Sequence, residues 1–496
     1  MDLKTAVKNQ EEEMIACLQQ VIRFPSERQD AKADAPFGEP VRDCLLYVLK
    51  QAEKLGMKTC NVDNYMGWAE IGEGPEMVAI LGHLDVVPAG EGWDRDPYSG
   101  DVENGNIYGR GTMDDKGPAV AALYAMKAIM DSGLPLKRRI RILFGTNEET
   151  GSADMAYYRE HGGEIPVSGF TPDGEYPLIN GEKGIINAVF TAALNAAETA
   201  GDGVCGAGEV LLRSISGGTA FNIVPGHAKA ELSCSEETAR KAMETVRAAE
   251  KDLEKEIAED EEMKAACASL TEGGKSILSA EYHAETGTLT VLAEGKEAHA
   301  SLPWKGVNAI GALLFALNRL PVAGEAAEKI RFLAGGIGLK GTGDGFGIAL
   351  EDEISGRLSF NTGMIEGNGG EIKVSINYRY PVTRSYEECA PKLIEEMKEN
   401  GFELTSEAHK ASLYVDKNEE YVQKLLAVYH EFTGLPAEPM CIGGGTYAKA
   451  IPNTVAFGPI FPGDTVREHL PNEFWELDKL KLNMQIIAEA VYRLAN

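Results

Sequence analysis

The chain has no CxxC pair and no cluster of cysteines. Its eight cysteines, at 17, 44, 60, 205, 234, 267, 389 and 441, are scattered over 496 residues. A disulfide framework or a cysteine zinc site needs tighter spacing, so reduced, buried thiols of a cytoplasmic protein are expected. Any metal must then be held by His, Asp and Glu. There is also no apolar run approaching the ~20 residues that cross a bilayer. The amino-terminal stretch MDLKTAVKNQEEEMIACLQQVI alternates charged and apolar residues at helical spacing and lacks the uncharged core of a signal peptide. Basic residues are scarce: 48 Lys and Arg face 77 Asp and Glu, a formal net charge of −29. That balance argues against a nucleic-acid partner, whose phosphates need concentrated Lys and Arg, and equally against an anionic membrane surface. Solubility is the plain reading of the charge.

What is present is ordinary for a globular protein, with 44% hydrophobic and 25% charged residues. The length exceeds one hydrophobic core and predicts two or more domains. Up to about residue 190 the chain alternates helices and strands, the pattern of an α/β layer fold. Helices are expected over 3–22, over 38–55 with Gly56 as C-cap, and over 117–131; strands are expected over 77–82 and 139–145. Around 190 the texture changes to the small-residue stretch AALNAAETAGDGVCGAGEV, followed by a charged helix over 235–268. Then come strand-like YHAETGTLTVLAEG, helical GVNAIGALLFALNRL, strand-like GEIKVSINYRYPV and helical SYEECAPKLIEEMKENG. These read as two β-and-α units in tandem. From 412 the mixed α/β texture returns, with YVQKLLAVYHEFTG, the glycine run GGGTY and a closing amphipathic helix over 477–494. The expectation is an α/β protein with a discontinuous catalytic domain, 1–188 and 412–496, and an inserted α+β domain of two similar subdomains over 189–411. No short-period repeat points to a solenoid.

Five segments carry chemistry. His83 and Asp85 follow the apolar run VAIL, where a buried strand emerges at its carboxyl end, the place where open α/β sheets bind ligands. A neutral imidazole is a good zinc ligand, and a neighbouring carboxylate can fix its tautomer. GRGTMDDKG sets Asp114 and Asp115 before a helix, where carboxylates also serve the helix dipole. FGTNEETG puts Glu148 and Glu149 after the strand IRILF; buried like charges there are costly unless a cation compensates them. The pair suggests one ligand and one general base. FTPDGEYPL offers Asp173 and REHLPNEFW offers His469. Alone, each is compatible with a surface or capping role. Together they supply two imidazoles, three single carboxylates and a spare Glu, which is what a two-metal hydrolase needs.

In this order, HLDVVP, GRGTMDDKG, GTNEETG, TPDGEYPL and EHLPNEF resemble the metal motifs of the M20 peptidase family, within it most nearly the bacterial PepV-type dipeptidases. The resemblance spans nearly the whole chain. It implies two zinc ions, for which manganese or cobalt can substitute. Asp114 would bridge them, with His83 and Asp173 on one ion and Glu149 and His469 on the other. Glu148 would be the general base acting on a metal-bridging water, Asp85 the orienting partner of His83, and the Asp114–Asp115 peptide cis. His299, in EGKEAHASLPWKGVNAI, matches the family's lid histidine that stabilises the oxyanion. Asn222 (TAFNIVPG), Arg379 (INYRYP) and Gly443, Gly444 and Gly445 resemble substrate-binding elements, Arg379 as a bidentate partner for a substrate carboxylate. The doubled insertion implies a monomer. The implied activity is hydrolysis of unblocked dipeptides. The alternatives are an N-acyl amino-acid deacylase or desuccinylase of the same family, and a catalytically inactive peptide-binding relative.

Other signals carry less. GDGVCG (201–206) matches GxGxxG but follows no convincing strand, and GGKS (273–276) has Ser269 where a P-loop needs its first glycine. His161, His227, His283, His409 and His430 have no ligand-spaced neighbours, and the charge run over 251–262 reads as a solvated helix face.

Overall fold

The computed structural model describes residues 1–194, 208–270 and 276–496; GDGVCG with Cys205, most of the alanine-rich stretch and the first three residues of GGKS lie outside the described residues. The chain divides into two compact units. The first comprises Met1–Glu182, Leu413–Cys441 and Gly445–Asn496; the second comprises Lys183–Ser412 and Ile442–Gly444.

The first unit is built on a nine-stranded mixed sheet. Its strands run in the order Lys58–Val62, Met66–Ile71, Arg139–Gly145, Met77–His83, Ser168–Thr171, Thr454–Ala456, Ile179–Glu182 and Leu413–Tyr414, with Met440–Ile442 also paired to Ile179–Glu182. Met77–His83 lies parallel to both of its neighbours, Arg139–Gly145 and Ser168–Thr171. Every residue of it is buried, as a strand covered on both faces requires. The helix Lys116–Ser132 is buried almost all round; it packs on this sheet and against the closing helix Leu477–Leu494, which also touches the sheet. Gly133, left-handed at φ 69°, ends it. The expected helix over 3–22 is two helices, Leu3–Lys8 and Glu11–Ile22, because the chain turns at Asn9 and Gln10 and the Gln10 amide reaches inward to Asp131 at 2.9 Å.

Among the described residues the second unit is built on an eight-stranded antiparallel sheet, ordered Leu278–His283, Thr288–Glu294, His227–Ser233, Leu211–Gly217, Ser359–Asn368, Glu371–Tyr380, Gly184–Ala193 and Glu403–Lys410. The strands fall into two halves of four, but the halves share one sheet and one hydrophobic core with the helices Glu236–Ala258, Ala309–Leu317, Glu325–Ile337 and Ala390–Glu399. The charged helix expected over 235–268 breaks at Glu259 and Asp260 into Glu236–Ala258 and Glu261–Leu270. Leu253 and Ile257 of the first piece turn inward, while Lys251, Asp252, Glu254 and Lys255 face solvent. The junction expected at 188 falls inside the strand Gly184–Ala193, which is paired on both edges within the second unit. Composition changes only where that strand ends, which is why it places the junction late. Among the described residues no helix is long and apolar enough to cross a membrane.

Candidate metal centre

Three adjacent parallel strands deliver most of the centre. Arg139–Gly145, Met77–His83 and Ser168–Thr171 end on the same edge of the sheet, with His83 opposite Gly145. His83 and Asp85, Glu148 and Glu149, and Asp173 therefore leave the sheet from neighbouring carboxyl ends. The helix Lys116–Ser132 brings Asp114 and Asp115 against the same edge. Its approach depends on Gly82: a Cβ there would lie 2.9 Å from the Ala119 Cβ and 3.1 Å from the Asp115 carboxylate. That carboxylate accepts the His83 backbone N–H at 3.0 Å. The Asp114–Asp115 peptide is cis.

Asp114 faces both histidines. Its Oδ1 lies 2.9 Å from His83 Nε2 and its Oδ2 lies 2.9 Å from His469 Nε2. His83 Nε2 is 3.7 Å from Asp173, and His469 Nε2 is 3.3 Å from Glu149. His469 itself is left-handed, φ 62°, a conformation that residues with a side chain adopt seldom and that recurs at functional sites. Asp85 meets His83 Nδ1 with its backbone carbonyl at 2.9 Å, nearer than its carboxylate at 3.5 Å. The Asp85 carboxylate accepts the backbone N–H groups of Glu148 and Glu149, each at 3.2 Å, and so fixes the turn carrying both acids.

Burial works against ionising these acids. It raises Asp173 to about 7, with the Asp114 charge adding to it. It also raises Glu148 and Glu149, whose next largest causes are the charges of Asp173 and Asp114 respectively. On Asp114 burial acts the same way, but hydrogen bonds from His469 and His83 outweigh it and hold the carboxyl below the usual carboxylate range. Hydrogen bonds to Asp114 and Glu149 push His469 up to about 11. The donor set fits divalent cations: imidazole nitrogens and carboxylates suit zinc, manganese or cobalt, and a dication offsets the mutual repulsion of the acids. Among the described residues two groups could each hold an ion, His83–Asp114–Glu149 and His83–Glu148–Asp173, their ligand atoms lying within 4.8 Å of one another. Glu149 Oε1 is buried and has no hydrogen-bond partner among the described residues.

Two supports have no counterpart in the sequence reading. Glu473, four residues beyond His469 in EHLPNEF, is fully buried and accepts from Gly111 N at 3.1 Å, Met113 N at 2.9 Å and Thr112 Oγ1 at 3.3 Å. It also pairs with the buried Arg110 at 2.7 Å. One carboxylate thus ties the His469 loop to the loop that ends in Asp114. Its place as the second acid of EHLPNEF was its only sequence signal. Asp154 accepts the backbone N–H groups of Thr146 and Asn147 at 2.6 and 3.0 Å and the hydroxyl of Tyr447, steadying the start of the Glu148 turn. Glu473→Ala strands a buried guanidinium and frees buried N–H groups, so it destabilises the chain by about 3–5 kcal/mol in urea unfolding. A loss under about 1 kcal/mol would contradict this role.

The other expected site residues are mostly on the second unit. His299, Asn222, Arg379, Gly443 and Gly444 belong to the second unit, and Gly445 to the first. His299 sits on a bridge opposite Ile223, and the carbonyl of Asn222 accepts Ala300 N at 2.9 Å. Arg379 is buried and donates from Nη1 to the Gly443 carbonyl at 2.6 Å. Of the remaining histidines, His161 stacks on Tyr157, His227 pairs with Glu294 and His409 bonds Tyr380.

Residues 79–493 match peptidase family M20/M25/M40. A Bacillus subtilis strain 168 protein with the name "Putative dipeptidase YtjP" is 34% identical over all of both chains. A similarly named Staphylococcus haemolyticus protein, SH1171, is 33% identical over 99% of each. Among solved structures, aminoacylhistidine dipeptidase from Vibrio alginolyticus aligns at a TM-score of 0.59 with 15% identity, over 97% of this chain and 96% of that one. An M20 family metallo-carboxypeptidase from Sulfolobus solfataricus aligns at 0.56 with 15% identity, over 97% and 98%. At such identities these structures speak to the fold, which is theirs. The family match and the full-length relatives together show that this chain belongs to peptidase family M20/M25/M40 and is a metal-dependent hydrolase.

Proposed function

We propose that the chain is a dipeptidase working with two metal ions, zinc first among them, on unblocked dipeptides. The observation that carries this reading is Asp114, whose two carboxylate oxygens each face a different histidine at 2.9 Å. His83 and Asp173 would hold one ion, Glu149 and His469 the other, and Asp114 both. When bound, such a pair supplies Lewis acidity toward the substrate carbonyl and acidity to a water. Glu148 takes the proton of the attacking water and returns it to the leaving amine. Asp85 keeps Glu148 in place through the backbone of its turn. His299 donates to the developing oxyanion, with Asn222 beside it on the facing segment. Arg379 receives the substrate carboxylate: burial lowers its pKa to about 10, which leaves it charged at neutral pH, and among the described residues it has no ion pair. The full-length relatives with dipeptidase names support this substrate class. We place the enzyme in the cytoplasm as a monomer, where reducing conditions suit the seven free cysteines among the described residues.

Hydrolysis of matched free and N-acetylated dipeptides, with and without chelator, tests this. The free set is expected to be cleaved and the chelator to abolish cleavage. Cleavage of the acetylated set alone makes the chain a deacylase, and no cleavage with metal bound makes it a binding protein.

A further inference from the structure

The sheet of the second unit has two unlike faces. On Glu371–Tyr380, Ile372, Val374, Ile376 and Tyr378 join the core, so Glu371, Lys373, Ser375, Asn377 and Arg379 point to the other side. Glu371 and Lys373 are exposed there, but Asn377 and Arg379 are buried. The register sets Asn361 opposite Asn377 and Asn377 opposite Asn187, so three carboxamides form a row across three strands.

Two members of the row lead to residues read above as substrate contacts. In the middle, Asn377 donates to Asn187 Oδ1 at 2.6 Å, and its own Oδ1 accepts from Arg379 Nε at 3.0 Å. At one end, the fully buried Asn361 donates from Nδ2 to the carbonyls of Phe221 and Ile223, at 2.9 and 2.8 Å. Those carbonyls flank Asn222, and Ile223 is the residue bridged to His299. Asn361 Oδ1 accepts from Asn308 Nδ2 at 3.2 Å, and the Asn308 side chain caps the helix Ala309–Leu317. The carboxamide suits both places. At 361 an aspartate would turn an acceptor toward two carbonyls. At 377 it would neutralise Arg379 internally, whereas asparagine orients the guanidinium and leaves its charge for a ligand.

We propose that this buried asparagine row is positioning machinery: Asn377 aims Arg379, and Asn361 sets the Phe221–Ile223 segment that presents Asn222 beside His299. It rests on the reading of Arg379 and Asn222 as substrate contacts.

Kinetics of the full-length metal-loaded enzyme on a free dipeptide test it by double-mutant cycles. Asn377→Leu is expected to raise KM roughly tenfold with kcat within about twofold, the loss of one hydrogen bond to a charged group. In an Arg379→Met background the same change moves KM less than about twofold. Asn361→Leu lowers kcat roughly tenfold with KM within about twofold, and this effect vanishes in an Asn222→Ala background. Asn377→Asp, which keeps the acceptor and tolerates burial beside Arg379, raises KM as far as Asn377→Leu and covers the case that the leucine variant does not fold. An unchanged KM in both Asn377 variants, or an equal rise with and without Arg379, overturns the proposal. If Arg379→Met alone leaves KM unchanged, the substrate-contact reading itself has failed, and the row loses its purpose with it.

Discussion

Changing Glu148 to glutamine lowers kcat for a free dipeptide by roughly a thousandfold or more, while the protein keeps both metal equivalents. Glutamine matches glutamate in shape and retains the backbone contact to Asp85, but it cannot take up a proton from water. The metal count is the more discriminating half of the result. Glu148 also lies in a group with His83 and Asp173 that could itself hold an ion. If the variant loses one metal equivalent, Glu148 is a ligand and the proton must go elsewhere. If metal is retained and kcat falls less than about tenfold, no base operates at this position.

Asp114→Asn is expected to cost at least one metal equivalent and again roughly a thousandfold or more in activity. The geometry leaves little room for substitution, since both oxygens are in use, one toward His83 and one toward His469. Asparagine offers one neutral oxygen, and its amide nitrogen would point at whichever ion the other oxygen had served. Metal content by elemental analysis and turnover on the same sample check this. Two equivalents retained with activity within about tenfold of wild type would show that Asp114 does not bridge.

How much of this was legible beforehand differs from residue to residue. His83, Asp114, Glu148, Glu149 and Asp173 stand out in the sequence because each follows a strand or precedes a helix at a point where a burst of acid or imidazole interrupts apolar residues; His469, in a loop, stands out only by its place in EHLPNEF. Their convergence follows from strand order: Arg139–Gly145 and Ser168–Thr171 flank Met77–His83, all three parallel. That order is a long-range fact that no local pattern encodes. Glu473 shows the same limit, since its partners Gly111 and Met113 are 362 and 360 positions away. Asp85 was legible as a neighbour of His83, yet its carboxylate serves the Glu148 turn, because the parallel pairing that aligns His83 with Gly145 brings that turn alongside. Asn187, Asn361 and Asn377 look like ordinary strand residues until register lines them up. Helix ends were legible where glycine stops them, as at Gly133, and not where a polar pair such as Asn9 and Gln10 breaks a continuous apolar stripe.

The central claim is that catalysis on free dipeptides needs two ions at the Asp114 cluster. Stripping the protein with chelator and titrating zinc back, while following dipeptide hydrolysis and bound metal together, tests it most directly. Activity is expected to be absent in the stripped protein and to reach its plateau only at two equivalents per chain. A plateau at one equivalent, or turnover that survives full stripping, would contradict the two-metal assignment.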